Sequence, residues 1–231
     1  MRCAPGAHEA ALALLQRHCS SQNSVLDLGA GSGAFVARLR DNGFTELHAA
    51  ELDVEKFRLD DVRPLSLDLN TDFARQFGSR VDLITALEII EHLDSPRLFL
   101  RQVHQLLAEG GMLLVSMPNV AHWAGRLHFL LRGELRFFDE SLYHRMRHIS
   151  PITDTQMRLM LRETGFAVLE SRAVGESYGP LKRLVTAPVA LMFRLACGPA
   201  VRGDVMLYIA RRTEPMTDIN PAPGGIARPA R

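Results

Sequence analysis

Val25-Leu26-Asp27-Leu28-Gly29-Ala30-Gly31-Ser32-Gly33 decides how this chain folds. Four residues suited to a buried strand run into a turn with glycine at every second position. Glycine is required where a backbone turns through positive φ and must lie against a ligand. Ala34–Arg40 continues with helical spacing and stops at Asn42-Gly43. Strand, glycine turn and helix form the opening unit of an open α/β sheet, which binds ligands at the carboxyl ends of its strands, where strand order reverses. Upstream, His8–Arg17 has helical periodicity. Downstream, Leu47–Leu52, Leu65–Leu69 and Val81–Ala86 are expected strands. The last is apolar at nearly every position, as in a parallel strand buried on both faces. Ser95-Pro96 predicts a helix running to Ala108, with Gly110-Gly111 as its stop and Met112–Met117 as the fifth strand. Residues 119–150 read as irregular. Thr153–Thr164 and Leu181–Ala196 are expected helices, and Phe166–Ser171 and Val205–Ala210 expected strands. There is no internal repeat. This alternation predicts an α/β fold, a doubly wound and mostly parallel sheet with helices on both faces. One domain is expected over residues 1–212, with 119–150 inserted after the fifth strand. Residues 213–231, rich in Pro, Gly and Ala, are expected to be a disordered tail.

The 231 residues carry a net charge of +1 and 47% hydrophobic side chains, which excludes wholesale disorder. Cys3, Cys19 and Cys197 form no CxxC pair and no metal spacing, so a disulfide scaffold is excluded and a cytoplasmic location expected. The longest apolar run, Ala187–Phe193, falls far short of the ~20 residues of a membrane span. His8 and Glu9 spoil the amino terminus as a signal peptide. Residues 1–115 hold 11 Lys/Arg against 16 Asp/Glu, and residues 116–231 hold 16 against 10, so the two halves can meet ligands of different charge.

The glycines alone are ambiguous. Gly29, Gly31 and Ala34 also satisfy the G-x-G-x-x-A fingerprint of dinucleotide sites, so a nicotinamide dehydrogenase is one reading. Two acids argue for another ligand. Asp27 sits at the strand end, where it would repel a pyrophosphate and suit a cation. Glu51 ends the second strand, where a carboxylate can bind both hydroxyls of a ribose. S-adenosylmethionine has an ammonium and a sulfonium at one end and a free ribose diol at the other.

With these residues in place, the chain resembles the class I S-adenosylmethionine-dependent methyltransferases. It is closest to the branch of ubiquinone-biosynthesis O-methyltransferases and methionine-biosynthesis W-like proteins. The resemblance covers about residues 20–170 and rests on six stretches in order: Val25–Gly33, Glu51, Ser66–Leu69, Asp82–Leu93, Gly110–Asn119 and His148–Gly165. It implies a Rossmann-like methyltransferase fold whose residues 119–150 form a lid over the acceptor. It also implies roles. Gly29, Ala30, Gly31 and Gly33 would approach the amino-acid part of the cofactor, and Asp27 would hold its ammonium or orient the loop. Glu51 would bind the ribose and Leu52 pack on adenine. Asp68 and Leu69 would contact the adenine edge, and Leu87 would line the methionine side. Asp68 can equally be read as a turn cap, and Glu51 as a solvated acid.

Methyl transfer from a sulfonium is an in-line displacement in which the protein mainly aligns the reactants. A base is needed only where the acceptor hydroxyl must lose a proton. Among His92, His122, His128, His144 and His148, the candidates are His92, after the fourth strand, and His148, before the Thr153 helix. Glu88, Glu91, His92 and His148 also match the spacing of metal-dependent small-RNA 2′-O-methyltransferases, where a divalent ion lowers the pKa of a bound hydroxyl. The competing reading is that these residues only cap a helix and shape the pocket, and no metal is the expectation.

Arg126, Arg132, Arg136, Arg145 and Arg147, interleaved with Trp123, Phe129, Phe137, Phe138 and Tyr143, suit a lid for an anionic or aromatic acceptor. Two lysines and near-zero net charge argue against nucleic acid. Leu181, Leu184, Val185, Pro188, Leu191, Met192 and Leu195 follow one helical stripe, read as packing on the sheet, a homodimer face, a pocket cover or contact with a membrane surface. The expected function is methyl transfer from S-adenosylmethionine to a small-molecule acceptor, at oxygen before nitrogen. The alternatives are a cofactor-binding, non-catalytic partner of the methionine W type and an RNA 2′-O-methyltransferase.

Overall fold

The computed structural model describes residues 4–175, 178–198 and 202–213. Chain order is α1 (Ala7–His18), β1 (Val25–Leu28), α2 (Ala34–Asp41), β2 (Leu47–Glu51), β3 (Leu65–Ser66), β4 (Val81–Ala86), α3 (Pro96–Leu106), β5 (Leu107–Pro118), α4 (Trp123–Arg132), α5 (Glu140–Met146), α6 (Asp154–Glu163), β6 (Phe166–Val174), α7 (Pro180–Cys197) and β7 (Val205–Arg212). The sheet has seven strands in the order β3-β2-β1-β4-β5-β7-β6. β1 to β5 pair in parallel, and β7 runs antiparallel between β5 and β6. The sheet is therefore mostly parallel, and strand order reverses beside β1, at the glycine turn.

Residue alternation along the strands divides the core. Leu26, Leu28, Ile84, Leu113 and Tyr208 face one side and are covered by α3 and α6, through Phe99, Val103, Met157 and Leu161. Val25, Leu83, Leu114 and Ile209 face the other, covered by α1 and α2 through Leu14, Leu15, Phe35 and Leu39. Helices thus lie on both faces. The local signals held where caps are strong. The Ser95 hydroxyl accepts from the Leu98 amide ahead of Pro96, and Thr153 and Gln156 close a capping box on α6.

Other boundaries moved for identifiable reasons. The helix expected to reach Ala108 ends at Leu106, and β5 begins at once. Gly110-Gly111 does not stop a helix. It lies in an irregularity where pairing jumps from Val81–Leu107 to Leu83–Met112. The strand expected over Leu65–Leu69 is two residues long, because the Asp68 carboxylate accepts from the Asn70 amide and turns the chain away. Residues 119–150, expected to be irregular, contain two helices. α4 is capped by His122 Nδ1, accepting from the Ala124 amide, and α5 by the Asp139 carboxylate. An imidazole cap and an α5 that closes on left-handed Arg147, not glycine, are weak sequence signals. Residues 214–231, most of the expected tail, lie outside the described residues, as does Cys3.

Candidate active site

The site begins at the register of the two central strands. Asp27 on β1 is the neighbour of Thr85 on β4, and the Thr85 hydroxyl donates to Asp27 Oδ1 at 2.5 Å. The carboxyl group is buried at 3% exposure. Burial raises its pKa to about 7, against the hydrogen bond from Thr85, which lowers it, while the Glu51 charge raises it further.

The turn after Asp27 is stitched to β2. The Gly29 and Ala30 amides donate to the Ala50 carbonyl at 2.9 and 3.1 Å. The Gly31 amide donates to Glu51 Oε2 at 2.7 Å, and Glu51 Oε1 accepts from the Asp53 amide. Gly29 has φ +72°, and a Cβ there would stand 2.7 Å from the Ile89 side chain. A side chain at this position would be both strained and blocked. These amides are already engaged, and a carboxylate stands at the turn, which opposes a pyrophosphate and favours a ligand with cationic and hydroxyl groups.

Asp27, Gly29, Ala30, Gly31, Glu51 and Leu87 line one cleft of about 220 Å³. Glu88 and, from α1, His8 join them; the His8 ring stands edge-on to Phe35 at 5.2 Å. His8 was not a candidate from its position in the chain, because only packing of α1 on α2 brings it there. Gly33, Leu52, Asp68 and Leu69 are not among the lining residues. Gly33 opens α2, Leu52 is two-thirds exposed beside Glu51, Asp68 is occupied as a turn cap and Leu69 is buried.

A second group lies beyond Glu88. The Glu88 amide donates to the Ser116 hydroxyl, which donates in turn to Glu88 Oε1, both at 2.8 Å. Burial raises the Glu88 pKa to about 7, the Ser116 bond lowers it, and the Asp204 charge raises it. Glu88 is therefore turned toward β5. Glu91, His92 and His148 come together without it, with one ligand atom from each within 4.8 Å of the others. The four-residue set expected from spacing is thus three residues in space. The two imidazoles meet edge to face at 4.8 Å.

Their tautomers are fixed by carbonyl partners. His92 Nδ1 lies 3.2 Å from the Arg147 carbonyl and His148 Nδ1 2.7 Å from the Phe137 carbonyl. A carbonyl only accepts, so each Nδ1 carries hydrogen and each Nε2 presents a lone pair. Both Nε2 atoms and both Glu91 oxygens are buried and, among the described residues, make no hydrogen bond. Burial pushes the Glu91 carboxyl well above its usual range, helped by the Glu88 charge, and lowers both histidines. Among the described residues, the non-glycine positions with left-handed backbone are Glu88, Phe137 and Arg147. Phe137 and Arg147 hold the two imidazoles through their carbonyls, and Glu88 lies three residues before Glu91, bonded to Ser116. Each such conformation costs on the order of 1 kcal/mol or more and persists only where surroundings enforce it.

The other histidines separate. His122 is buried, receives Arg136 Nη1 at 3.2 Å and has its pKa lowered to about 4, chiefly by burial. Arg136 pairs with buried Asp204 at 3.0 Å and lies over the Phe137 ring. His128 and His144 lie toward the surface of the 119–150 segment. Among the described residues no helix is long and apolar enough to cross a membrane.

With fold and site described, the class is defined. A methyltransferase-domain family model matches residues 4–171, and the chain belongs to that family, the class I S-adenosylmethionine-dependent methyltransferases, whose cofactor is S-adenosylmethionine. Two curated relatives are similar. (S)-coclaurine N-methyltransferase of Thalictrum flavum is 26% identical over 58% of this chain and 40% of its own length. Ubiquinone biosynthesis O-methyltransferase of Maricaulis maris is 28% identical over 68% of this chain and 63% of its own. The chain thus spans less than two thirds of either relative. Among solved structures, a Haloferax volcanii methyltransferase in complex with the activator Trm112 shares the fold. Its TM-score is 0.62 at 18% identity, with 89% of each chain covered.

Proposed function

We propose that this chain transfers a methyl group from S-adenosylmethionine to a hydroxyl of a small-molecule acceptor. In this reading Asp27 faces the ammonium, Glu51 the ribose diol, and exposed Leu52 is covered by adenine. The observation that carries the choice of oxygen is the group Glu91, His92 and His148. Two Nε2 lone pairs and a carboxyl converge in a buried space, an arrangement that calls for a proton or a cation between them. An acceptor hydroxyl supplies such a proton, and an imidazole held in one tautomer is suited to take it. The segment 119–150 supports the site directly, since its Phe137 and Arg147 carbonyls orient both rings.

The same observation favours a second form of the reading, with a divalent ion held by Glu91, His92 and His148. One carboxylate and two neutral imidazoles, each braced through Nδ1, are a suitable donor set. The ion would supply Lewis-acid activation of the acceptor hydroxyl. Glu88, engaged with Ser116, would stay outside the set.

The test is a screen of hydroxyl and amine acceptors for formation of S-adenosylhomocysteine, run with and without EDTA. Turnover on a hydroxyl acceptor is expected. His92→Ala or His148→Ala should lower it by ~10²–10⁴ while S-adenosylhomocysteine still binds. Loss in EDTA with rescue by Mg²⁺ or Mn²⁺ selects the ion; full activity in EDTA selects the imidazole. Wild-type rates in both variants would remove the cluster from the chemistry. Cofactor binding with no turnover on any acceptor would support a non-catalytic partner.

A further inference from the structure

α7 turns its apolar stripe away from the protein. Leu184, Val185 and Leu195 are 73%, 71% and 80% exposed, whereas Ala190 is buried against Trp123 with Phe193 alongside. α4 packs on α7 and adds Leu130 and Leu131, exposed at 78% and 73%. Two adjacent helices thus both present exposed leucines to water, and clustered exposed apolar side chains mark interaction surfaces. Neither helix contains an acidic residue. Arg126 and Arg132 on α4 and Arg183 and Arg194 on α7 are exposed on the same pair of helices.

We infer that α4 and α7 form a docking face for an anionic lipid surface, with α7 lying in the interface. Leucines beside arginines, on two helices that contain no acidic residue, match the acyl boundary and the negative headgroups together. The 18-residue helix runs unbroken through Pro188 and is not long and apolar enough to cross a membrane. A second copy of this chain fits less well. A two-fold dimer through this face would set its arginines against their own kind. The face also stands at a useful place. β7 begins where β5 ends, with Val205 opposite Pro118, so α4 and α7 flank the carboxyl edge of the sheet, the edge that carries the glycine turn.

The experiment is co-sedimentation of the full chain with vesicles of phosphatidylcholine alone and of phosphatidylcholine and phosphatidylglycerol in equal parts. Partition to the mixed vesicles should be at least about tenfold stronger and fall as salt is raised. A variant carrying Leu130→Ser, Leu184→Ser and Leu195→Ser, all at exposed positions, should lose about tenfold or more of that partition. Its thermal shift with S-adenosylhomocysteine should match the parent, which keeps lipid docking separate from the cofactor site and reports the fold. Equal partition of parent and variant, or indifference to vesicle charge, would overturn the inference. So would a lipid-free dimer in sedimentation velocity that the triple variant dissolves, since the face would then be a homodimer surface.

Discussion

A carboxyl group shut between two strands must hold a proton or meet a cation, and Asp27 is placed to do either. Its pKa of about 7 in the fold lies above the ordinary carboxyl value of the unfolded chain. The folded state therefore binds the proton more tightly, and stability falls as pH rises between the ordinary value and about 7. Asp27→Asn should remove that fall, so the unliganded variant is the more stable at pH 8, by up to a few kcal/mol, read from denaturant midpoints. The same change should weaken S-adenosylhomocysteine binding and abolish a rise in parent affinity from pH 6 to pH 8. A variant with parental affinity at pH 8 would take Asp27 out of the binding site. Glu51→Ala should cost about 1–3 kcal/mol of cofactor affinity by calorimetry, having lost its contact to the diol and its brace on the Gly31 amide. Asp27, Glu51 and the glycines were legible because all lie within a few residues of strand ends, where sequence spacing and spatial position agree. Thr85, Ser116 and His8 were not, since register or helix packing brings each to the site from far along the chain.

At the scale of elements, the segment 119–150 shows what periodicity misses. Its two helices end on His122, Gly133, Asp139 and Arg147, of which two are ordinary cap residues. Its contribution to the site is backbone carbonyls, which no residue pattern announces. Deleting the middle of this segment should abolish turnover and leave S-adenosylhomocysteine affinity within about tenfold, because the cleft is lined by β1, β2, α1 and the residues after β4. Equal loss of both would show that the segment belongs to the cofactor site. α7 makes the complementary point. Its stripe had the spacing of a buried face, yet burial is decided by what packs against a helix, and here the small face with Ala190 was chosen.

For the whole molecule, a doubly wound, mostly parallel sheet was legible because apolar strands separated by helical stretches admit few topologies, whereas the order of its strands was not. The antiparallel insertion of β7 between β5 and β6 was equally hidden, since the residues of a strand carry no mark of its direction. That order places the reversal beside β1, and there the acids of β1 and β2 oppose a pyrophosphate while suiting an ammonium and a ribose. The claim on which the account rests is that this turn binds S-adenosylmethionine. Calorimetric titration of the intact chain with S-adenosylhomocysteine, and in parallel with NAD, tests it most directly. The expected result is saturable one-to-one binding of S-adenosylhomocysteine, weakened about tenfold or more by Glu51→Ala, and no heat with NAD. Saturable binding of NAD with none of S-adenosylhomocysteine would contradict it.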